Sequence, residues 1–305
     1  MSLDDYFMRR REMTALAVAA FDKDENVVNA LLAHFPDAKQ EAIEIAYELQ
    51  AGTYTANRDK ETARAYRREQ HEILLNEVMP YCAARENAVL LDAGTGEGTG
   101  WYGFDFAASP VATFHAVDIS LNRLAYLPQN VNASTAALVP VRADLRDMPY
   151  HPHSFDVVVT MHAVEPNGGS EREIVGALAS LSADMICLFE PDYLAAPPEG
   201  KARMERLGYG LEIFEAAEAL GDFDVIFRRP LSSATNPLNP TSVICLKRKA
   251  GSRATLRRKS PLSGLDLAHG GDHLAETGTG ASAVFPIIGG IECLRASDAV
   301  MKIVR

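Results

Sequence analysis

The chain has 305 residues, 47% of them apolar, and 30 Lys and Arg against 41 Asp and Glu give it a formal net charge of -11 at pH 7. That apolar content is ample for a sizeable core and the length exceeds one average domain, which excludes a disordered chain and points to a large α/β domain with additions. The acidic balance disfavours nucleic acid as a general partner, since phosphate binding needs a basic surface, and no run approaches the roughly 18 apolar residues of a bilayer span.

Residues 1–84 read as a helical cap. Between Asp37 and Gly52, apolar side chains at Ala38, Ala42, Ile45, Ala46 and Leu49 fall on one face of a 3.6-residue repeat, leaving Glu41, Glu44 and Glu48 to the wet face. Asp37 can cap the start with Gln40 at the third helical position, and Gly52 supplies a stop. A second helix is expected from about Arg58 to Met79, ending before Pro80.

From residue 85 to 249, strands alternate with helical stretches, the pattern of a parallel sheet covered on both faces. The first strand, Val89-Leu90-Leu91-Asp92-Ala93, is an apolar run that ends on an acid and breaks into Gly94, Gly96, Gly98 and Gly100. Alternating glycines suit a turn that must bend sharply and bring bare backbone against a ligand. The dinucleotide fingerprint G-x-G-x-x-G fails at its last position, Thr99, which argues against a nicotinamide-dependent dehydrogenase. Thr113–Asp118 is a second apolar run ending in an acid, 24 residues after Gly94, where a carboxylate would bind a ribose diol. Leu138–Leu145 carries a third carboxylate, Asp144, and Phe155–Met161 is a fourth strand. Later strands are expected at Asp184–Glu190, Asp224–Arg228 and Ser242–Lys247.

The string D-x-G-x-G-x-G from Asp92, with the acid-terminated strands that follow it and the F-D-x-V pattern at Phe155, resembles the class I S-adenosylmethionine-dependent methyltransferases. That resemblance implies a Rossmann-like sheet of seven strands in the order 3-2-1-4-5-7-6, the last antiparallel, with S-adenosylmethionine as cofactor and S-adenosylhomocysteine as product. It places Asp92 near the cofactor's amino group, Gly94 and Gly96 against its methionine portion, Asp118 on the ribose, Asp144 on the adenine amino group and the Leu145 N–H facing the ring. Thr160, at the end of the fourth strand, is counted with these cofactor-binding residues.

Methyl transfer to a hydroxyl also needs a base. His162, just beyond the fourth strand and thus beside the cofactor's sulfur in this fold, is the candidate, against the alternative of a histidine bonded to backbone. Glu165 could orient it or bind the acceptor. Glu190, Asp192 and Tyr193, after the fifth strand, could line an acceptor pocket or serve only as turn residues. Tyr47, Gln50 and Tyr54 could close over the cofactor. Arg67, Arg68 and His71 could bind an acidic acceptor, although a solvated helix face is favoured.

Seven basic residues between Lys247 and Lys259 read as a solvated linker. Beyond it, residues 257–305 read as a small β-rich module. Lys259–Gly264 and Val284–Ile291 resemble the two halves of the small zinc-ribbon-like proteins that activate tRNA and protein methyltransferases, with Ser260 and Ser263 in place of the first cysteine pair. Metal binding is therefore expected to be lost, with Phe285, Ile287, Ile288 and Ile291 packing the module against the methyltransferase domain. Cys82, Cys187, Cys245 and Cys293 are too widely spaced for a zinc knuckle or a disulfide framework. Met1–Asp5 shows no basic segment leading into an apolar core, so a cytoplasmic location with no membrane partner is expected; the oligomeric state stays open. The function expected is methyl transfer to an oxygen or nitrogen of a small molecule, with a sugar or nucleotide-sugar intermediate as one such acceptor. The alternatives are methylation of tRNA, rRNA or a translation protein, and a non-catalytic cofactor-binding regulator or scaffold.

Overall fold

The computed structural model describes residues 3–82, 85, 87–278 and 280–304. The expected start of the cap at Met1, its end at Ala84 and the end of the tail at Arg305 lie outside the described residues.

The chain opens with α1 (Leu3–Phe21), α2 (Val27–His34) and α3 (Lys39–Leu49), which share a core that includes Met13, Leu31, Ala42 and Ile45. The face opposite this core is not uniformly wet. Glu44 is only 2% exposed and receives Arg10 at 2.6 Å and Arg142 and Arg295 each at 2.7 Å. Periodicity assigns a face but is blind to arginines arriving from distant parts of the chain. Burial alone would raise the Glu44 carboxyl, and the arginines hold it below the ordinary carboxylate range instead. Asp37 does not cap α3; the N-cap is Ala38, because both Asp37 oxygens are taken by Arg9 at 3.1 and 3.2 Å. Gly52, at φ 93°, does not end α3, whose C-cap is Gln50, but opens α4 (Thr53–Asn57). Then α5 (Glu61–Ile73) runs on through a π-helical turn, Leu74–Val78, into a 3-10 turn, Met79–Cys82, that contains Pro80.

Seven strands form the central sheet: β1 (Ala88–Ala93), β2 (Val111–Asp118), β3 (Ala137–Arg142), β4 (Phe155–Met161), β5 (Ser182–Pro191), β6 (Phe223–Pro230) and β7 (Thr241–Arg248). Their order is 3-2-1-4-5-7-6, with β1 to β5 parallel to one another and β7 antiparallel to both β5 and β6. This is the expected Rossmann-like α/β arrangement. Every residue of β1 is buried because both faces of the sheet are covered. Alternate side chains go to opposite cores. Leu90 and Val157 pack with Trp101 and with leucines of α6 (Leu121–Leu124) and α7 (Leu127–Asn130). On the other face, Leu91 and Val158 pack with α8 (Glu171–Leu181), while α9 (Pro198–Leu207) leads to α10 (Ile213–Glu218), whose Phe214 joins the same core.

The sheet does not stop at seven strands. The tail contributes β8 (Leu267–His269), β9 (His273–Glu276), β10 (Gly280–Ile288), β11 (Ile291–Cys293) and β12 (Val300–Val304). Here β11 lies parallel to β3, with Glu292 opposite Val141 and Cys293 opposite Arg142, so that β10, β9 and β8 extend the sheet beyond it and β12 pairs with β10. Phe285, Leu274 and Leu294 are buried in the core beneath Leu91, and Ile291 in the opposite one. Ile288, expected to pack, is 49% exposed, because strand alternation turns it away from the side that takes Phe285 and Ile287.

The basic stretch before the tail is not a solvated linker. Arg248 is buried and donates to the carbonyls of Ser182 and Ala179 at 2.9 and 2.6 Å, Arg253 pairs with buried Asp156 at 2.6 Å, and Arg258 pairs with buried Glu292 at 2.6 Å. Carboxylates removed from water require such partners, and the segment supplies them. At the turn where the resembled family carries cysteines, the buried Ser260 Oγ accepts the N–H groups of Leu262 and Ser263 at 3.2 and 3.4 Å, and the Ser263 hydroxyl donates to Glu276 at 2.5 Å. No helix among the described residues is long and apolar enough to cross a membrane.

Candidate active site

At the end of β1 the chain turns through Gly94 (φ 82°) and Gly96 (φ 58°). A β-carbon on Gly94 would lie 2.2 Å from Ala163 Cβ, so that position demands glycine for space as well as conformation, while at Gly96 the neighbour is the movable end of Arg123 and the positive φ makes the demand. Asp118, at the end of the neighbouring β2, accepts the Gly96 N–H at 2.8 Å and the Ser120 N–H at 2.9 Å. Asp92 is buried, with Trp101 Nε1 donating to its Oδ2 at 2.6 Å, while its Oδ1 is buried with no hydrogen-bond partner among the described residues. Burial pushes the Asp92 carboxyl up to about 7. Burial acts the same way on Asp144, but Arg146, bonded to both its oxygens at 2.8 and 3.1 Å, brings it below the ordinary range.

These groups open into a cavity of about 690 Å³. Its cover comes from the N-terminal helices, including Tyr47 of α3 and its C-cap Gln50, Tyr54 of α4 and Tyr66 of α5. Two carboxylates fasten that cover. Glu97, in the glycine turn and only 1% exposed, accepts the N–H groups of Gly52, Tyr54 and Thr55 at 3.0, 3.3 and 2.7 Å and the Thr55 hydroxyl at 2.5 Å. In the other direction, Glu48 of α3 accepts the Ser120 hydroxyl at 3.0 Å and the N–H groups of Leu121 and Asn122 at 2.9 Å. The Arg123 guanidinium lies over the rings of Tyr47 and Tyr54, 4.8 and 5.0 Å from their centroids.

Beyond β4, His162 adopts φ 57°, a left-handed conformation uncommon for a residue with a side chain. Buried Glu190 helps hold it there by accepting the next three backbone N–H groups, those of Ala163, Val164 and Glu165, at 3.0, 3.2 and 3.3 Å. The His162 ring is bonded on both sides, Nδ1 to Glu165 Oε2 at 3.0 Å and Nε2 to Thr241 Oγ1 at 2.7 Å, and the Tyr66 hydroxyl donates to the same threonine oxygen at 3.0 Å. The Thr241 oxygen, accepting from Tyr66, keeps one proton and one lone pair, so toward Nε2 it can donate to a neutral imidazole whose Nδ1 proton goes to Glu165, or accept from an imidazolium. Burial alone would lower the His162 pKa; Glu165, with help from Glu190, raises it above the ordinary value.

Asp92, Gly94, Asp118, Asp144, Leu145, His162 and Glu165 all line this cavity, as do Tyr47, Gln50, Tyr54 and Arg67. Gly96 meets it only through the N–H it gives Asp118, and Thr160 is buried within β4, away from the cavity wall. Glu190 is spent on the His162 loop and does not line an acceptor pocket. Asp192 closes its own turn on Leu194 and Ala195 and accepts Ser242, and the Tyr193 hydroxyl donates to Glu205. Arg68 is exposed, and His71 is bonded to the Gly100 carbonyl at 2.7 Å. Sequence reasoning missed Glu97, Arg123, Tyr66 and Thr241. Only Glu97 carried a signal, as the lone acid inside the glycine turn.

Residues 90–181 match the model of a family described as a methyltransferase domain. The chain carries a methyltransferase domain. Curated proteins compared by sequence gave no match. Similar solved structures include magnesium protoporphyrin IX methyltransferase from Synechocystis PCC 6803 with bound SAH, at 15% identity and TM-score 0.45 over 62% of this chain and 88% of that one. A putative sarcosine dimethylglycine methyltransferase from Galdieria sulphuraria aligns at 12% identity and TM-score 0.48 over 63% and 90%. A complex between the Haloferax volcanii Trm112 methyltransferase activator and the putative methyltransferase aligns at 13% identity and TM-score 0.48 over 65% and 96%.

Class I methyltransferases take their methyl group from S-adenosylmethionine, a cation at sulfur that also carries an ammonium and a carboxylate. The cavity is chemically suited to such a donor at the buried Asp92 Oδ1, which meets the distance and angle of a hydrogen bond with no described residue and has the Thr95 side chain as its polar neighbour.

Proposed function

We propose that this methyltransferase transfers the methyl group of S-adenosylmethionine to an oxygen or nitrogen of a small molecule, a class that includes sugars and nucleotide-sugar intermediates. The observation that carries this reading is the covered cavity of about 690 Å³, within the ~300–1,000 Å³ range of small-molecule sites. The N-terminal helices that cover it are fastened at Glu97 and Glu48, which leaves a chamber suited to a small acceptor and ill suited to a structured RNA.

In this reading Asp92 meets the donor's ammonium, Gly94 and Gly96 give room to its methionine portion, Asp118 binds the ribose, and Asp144 with the Leu145 N–H receives the adenine. The bound donor supplies an electrophilic methyl group whose transfer neutralises the sulfonium. His162 takes the acceptor's proton at Nε2, either directly after displacing Thr241 or through the threonine hydroxyl, and Glu165 stabilises the resulting imidazolium and fixes the ring. Most of the acceleration comes from holding acceptor and donor in line.

The test is calorimetric titration with S-adenosylhomocysteine and, separately, NAD, followed by incubation with methyl-labelled donor and either a small-metabolite extract or total RNA. Binding of S-adenosylhomocysteine alone, with label in the small-molecule fraction, is the expected result. Label confined to RNA or protein would overturn the small-molecule reading, and binding without transfer to anything would favour the non-catalytic one.

A further inference from the structure

We infer that the methyl acceptor carries an anionic group, a carboxylate or a phosphate ester, which pairs with Arg203 of α9. This rests on the reading above, that donor and a small acceptor share the cavity.

Charges along the cavity wall are nearly all matched. Each acid there has a counterpart: Asp92 Oδ1 awaits the donor's ammonium, Asp118 holds two backbone N–H groups, Asp144 is bound by Arg146, and Glu165 by His162 and by Asn239 at 3.3 Å. Among the cations, Arg58 donates to Asn130 at 2.6 Å and to the Gln129 carbonyl at 3.0 Å, and Lys60 is exposed to water; Arg123, stacked on two tyrosines with its Nε buried and without a hydrogen-bond partner among the described residues, has the charge of Asp118 beside it. Two guanidiniums remain. Arg67 is only 7% exposed and lies over the Tyr102 ring, 5.4 Å from its centroid, with no hydrogen bond or ion pair among the described residues. Arg203 lies over Tyr209 at 5.6 Å and forms no ion pair among the described residues; its Nη1 is buried without a hydrogen-bond partner. A charge withdrawn from water without a counter-charge is destabilising, and a ligand's anion relieves that cost.

The donor offers one carboxylate, and position decides which arginine receives it. Arg67 sits on α5 against the glycine turn: His71, one helical turn further on, bonds the Gly100 carbonyl at 2.7 Å, and Tyr102 beneath Arg67 lies two residues after Gly100. Arg203 belongs to a different wall. The connection after α9 packs on the Glu165–Asn167 turn, where the Gly210 N–H donates to the Glu165 carbonyl at 2.6 Å, and Tyr209 feels the Glu165 charge. Arg203 thus stands on the His162 and Glu165 side, where the donor has no second anion to present and the acceptor must provide it.

The test uses the full chain, methyl-labelled donor and a small-metabolite extract split on an anion exchanger. Labelled product is expected from the retained fraction. If prior phosphatase treatment abolishes labelling the anion is a phosphate, and if labelling survives it is a carboxylate; either supports the inference. Label only from the unretained fraction would overturn it while leaving methyl transfer established, whereas failure of the chain to bind S-adenosylhomocysteine would defeat the reading beneath it. With the retained acceptor, Arg203→Gln is expected to raise KM by about 10- to 100-fold through loss of a charged hydrogen bond, with kcat changed much less and S-adenosylhomocysteine affinity kept as proof of an intact fold. Equal KM in Arg203→Gln and the parent chain would overturn the proposal.

Discussion

Replacing Glu97 with alanine isolates the fastening of the cavity cover. The side chain is only 1% exposed and accepts three backbone N–H groups and one hydroxyl from residues 52–55, at distances from 2.5 to 3.3 Å. Hydrogen bonds to a charged group contribute about 1.5–3 kcal/mol each, but bonds to one carboxylate are strongly coupled and water replaces part of them once the cover opens. Taking the set as worth ~3 kcal/mol of cover closure, the variant should open its cover roughly 100-fold more often. Amide hydrogen exchange reads this directly: Gly52, Tyr54 and Thr55 should lose about two decades of protection, while the amides of β1 and β4 keep theirs. The affinity for S-adenosylhomocysteine should fall with them. Unchanged protection at those three amides would refute the reasoning, for it would mean that the cover is held by Glu48 or by packing alone.

Asp118→Ala should weaken S-adenosylhomocysteine by ~1–3 kcal/mol and also lower the melting temperature, because the Gly96 and Ser120 N–H groups lose their acceptor; calorimetry and a thermal melt check both. Asp92, raised to about 7, is largely protonated below that pH, so binding an ammonium against it should release a proton at pH 6.5. The calorimetric enthalpy should then depend on the buffer's ionisation heat in the parent chain and not in Asp92→Asn. His162→Asn should lower kcat on the order of 100-fold or more with little change in donor affinity. Since the folded His162 pKa is raised, the parent rate should climb with pH through a midpoint above 6.5, and the stability that His162 lends should be full below about 6.5 and fade as pH rises through the folded value; melting curves of both proteins from pH 5.5 to 9 test the sign. Deleting the chain after Lys249 removes β11 from β3 and Phe285 from the core, so aggregation or a clear drop in melting temperature is expected from light scattering and calorimetry.

What the sequence disclosed is what local pattern can encode. The apolar run of β1, buried at every position, and the glycines at 94 and 96 are consequences of short-range sterics, and so the strands and the placing of Asp92, Asp118 and His162 at their carboxyl ends were legible, whereas the sheet order was implied by the family resemblance and not by local pattern. Glu44 was read as wet because its helix phase is polar, and nothing near it in sequence announces Arg142, 98 residues away. Glu190 looked like a pocket acid because it ends a strand, yet its task is to accept three N–H groups of a strained loop. Thr241 gave no sign at all, since a threonine opening a strand becomes informative only when the ring of His162 is brought to it. The basic stretch was misread for the same reason: its partners, Asp156 and Glu292, are buried carboxylates from two different strands.

The knot around Glu44 bears on the way the chain matures. Arg10, Arg142 and Arg295 belong to the first helix, the edge of the central sheet and the tail, so one buried carboxylate gathers its partners from segments synthesised far apart in time. On a growing polypeptide the early helices can form, and the central strands can pair, but the knot is completed only after Arg295 has emerged. Arg10 and Arg142 can pair with Glu44 before the tail exists, and Glu97 and Glu48 can already hold the cover, so the third arginine is expected to tighten a joint formed earlier. Arresting translation at successive lengths and probing the early helices with protease would follow that order.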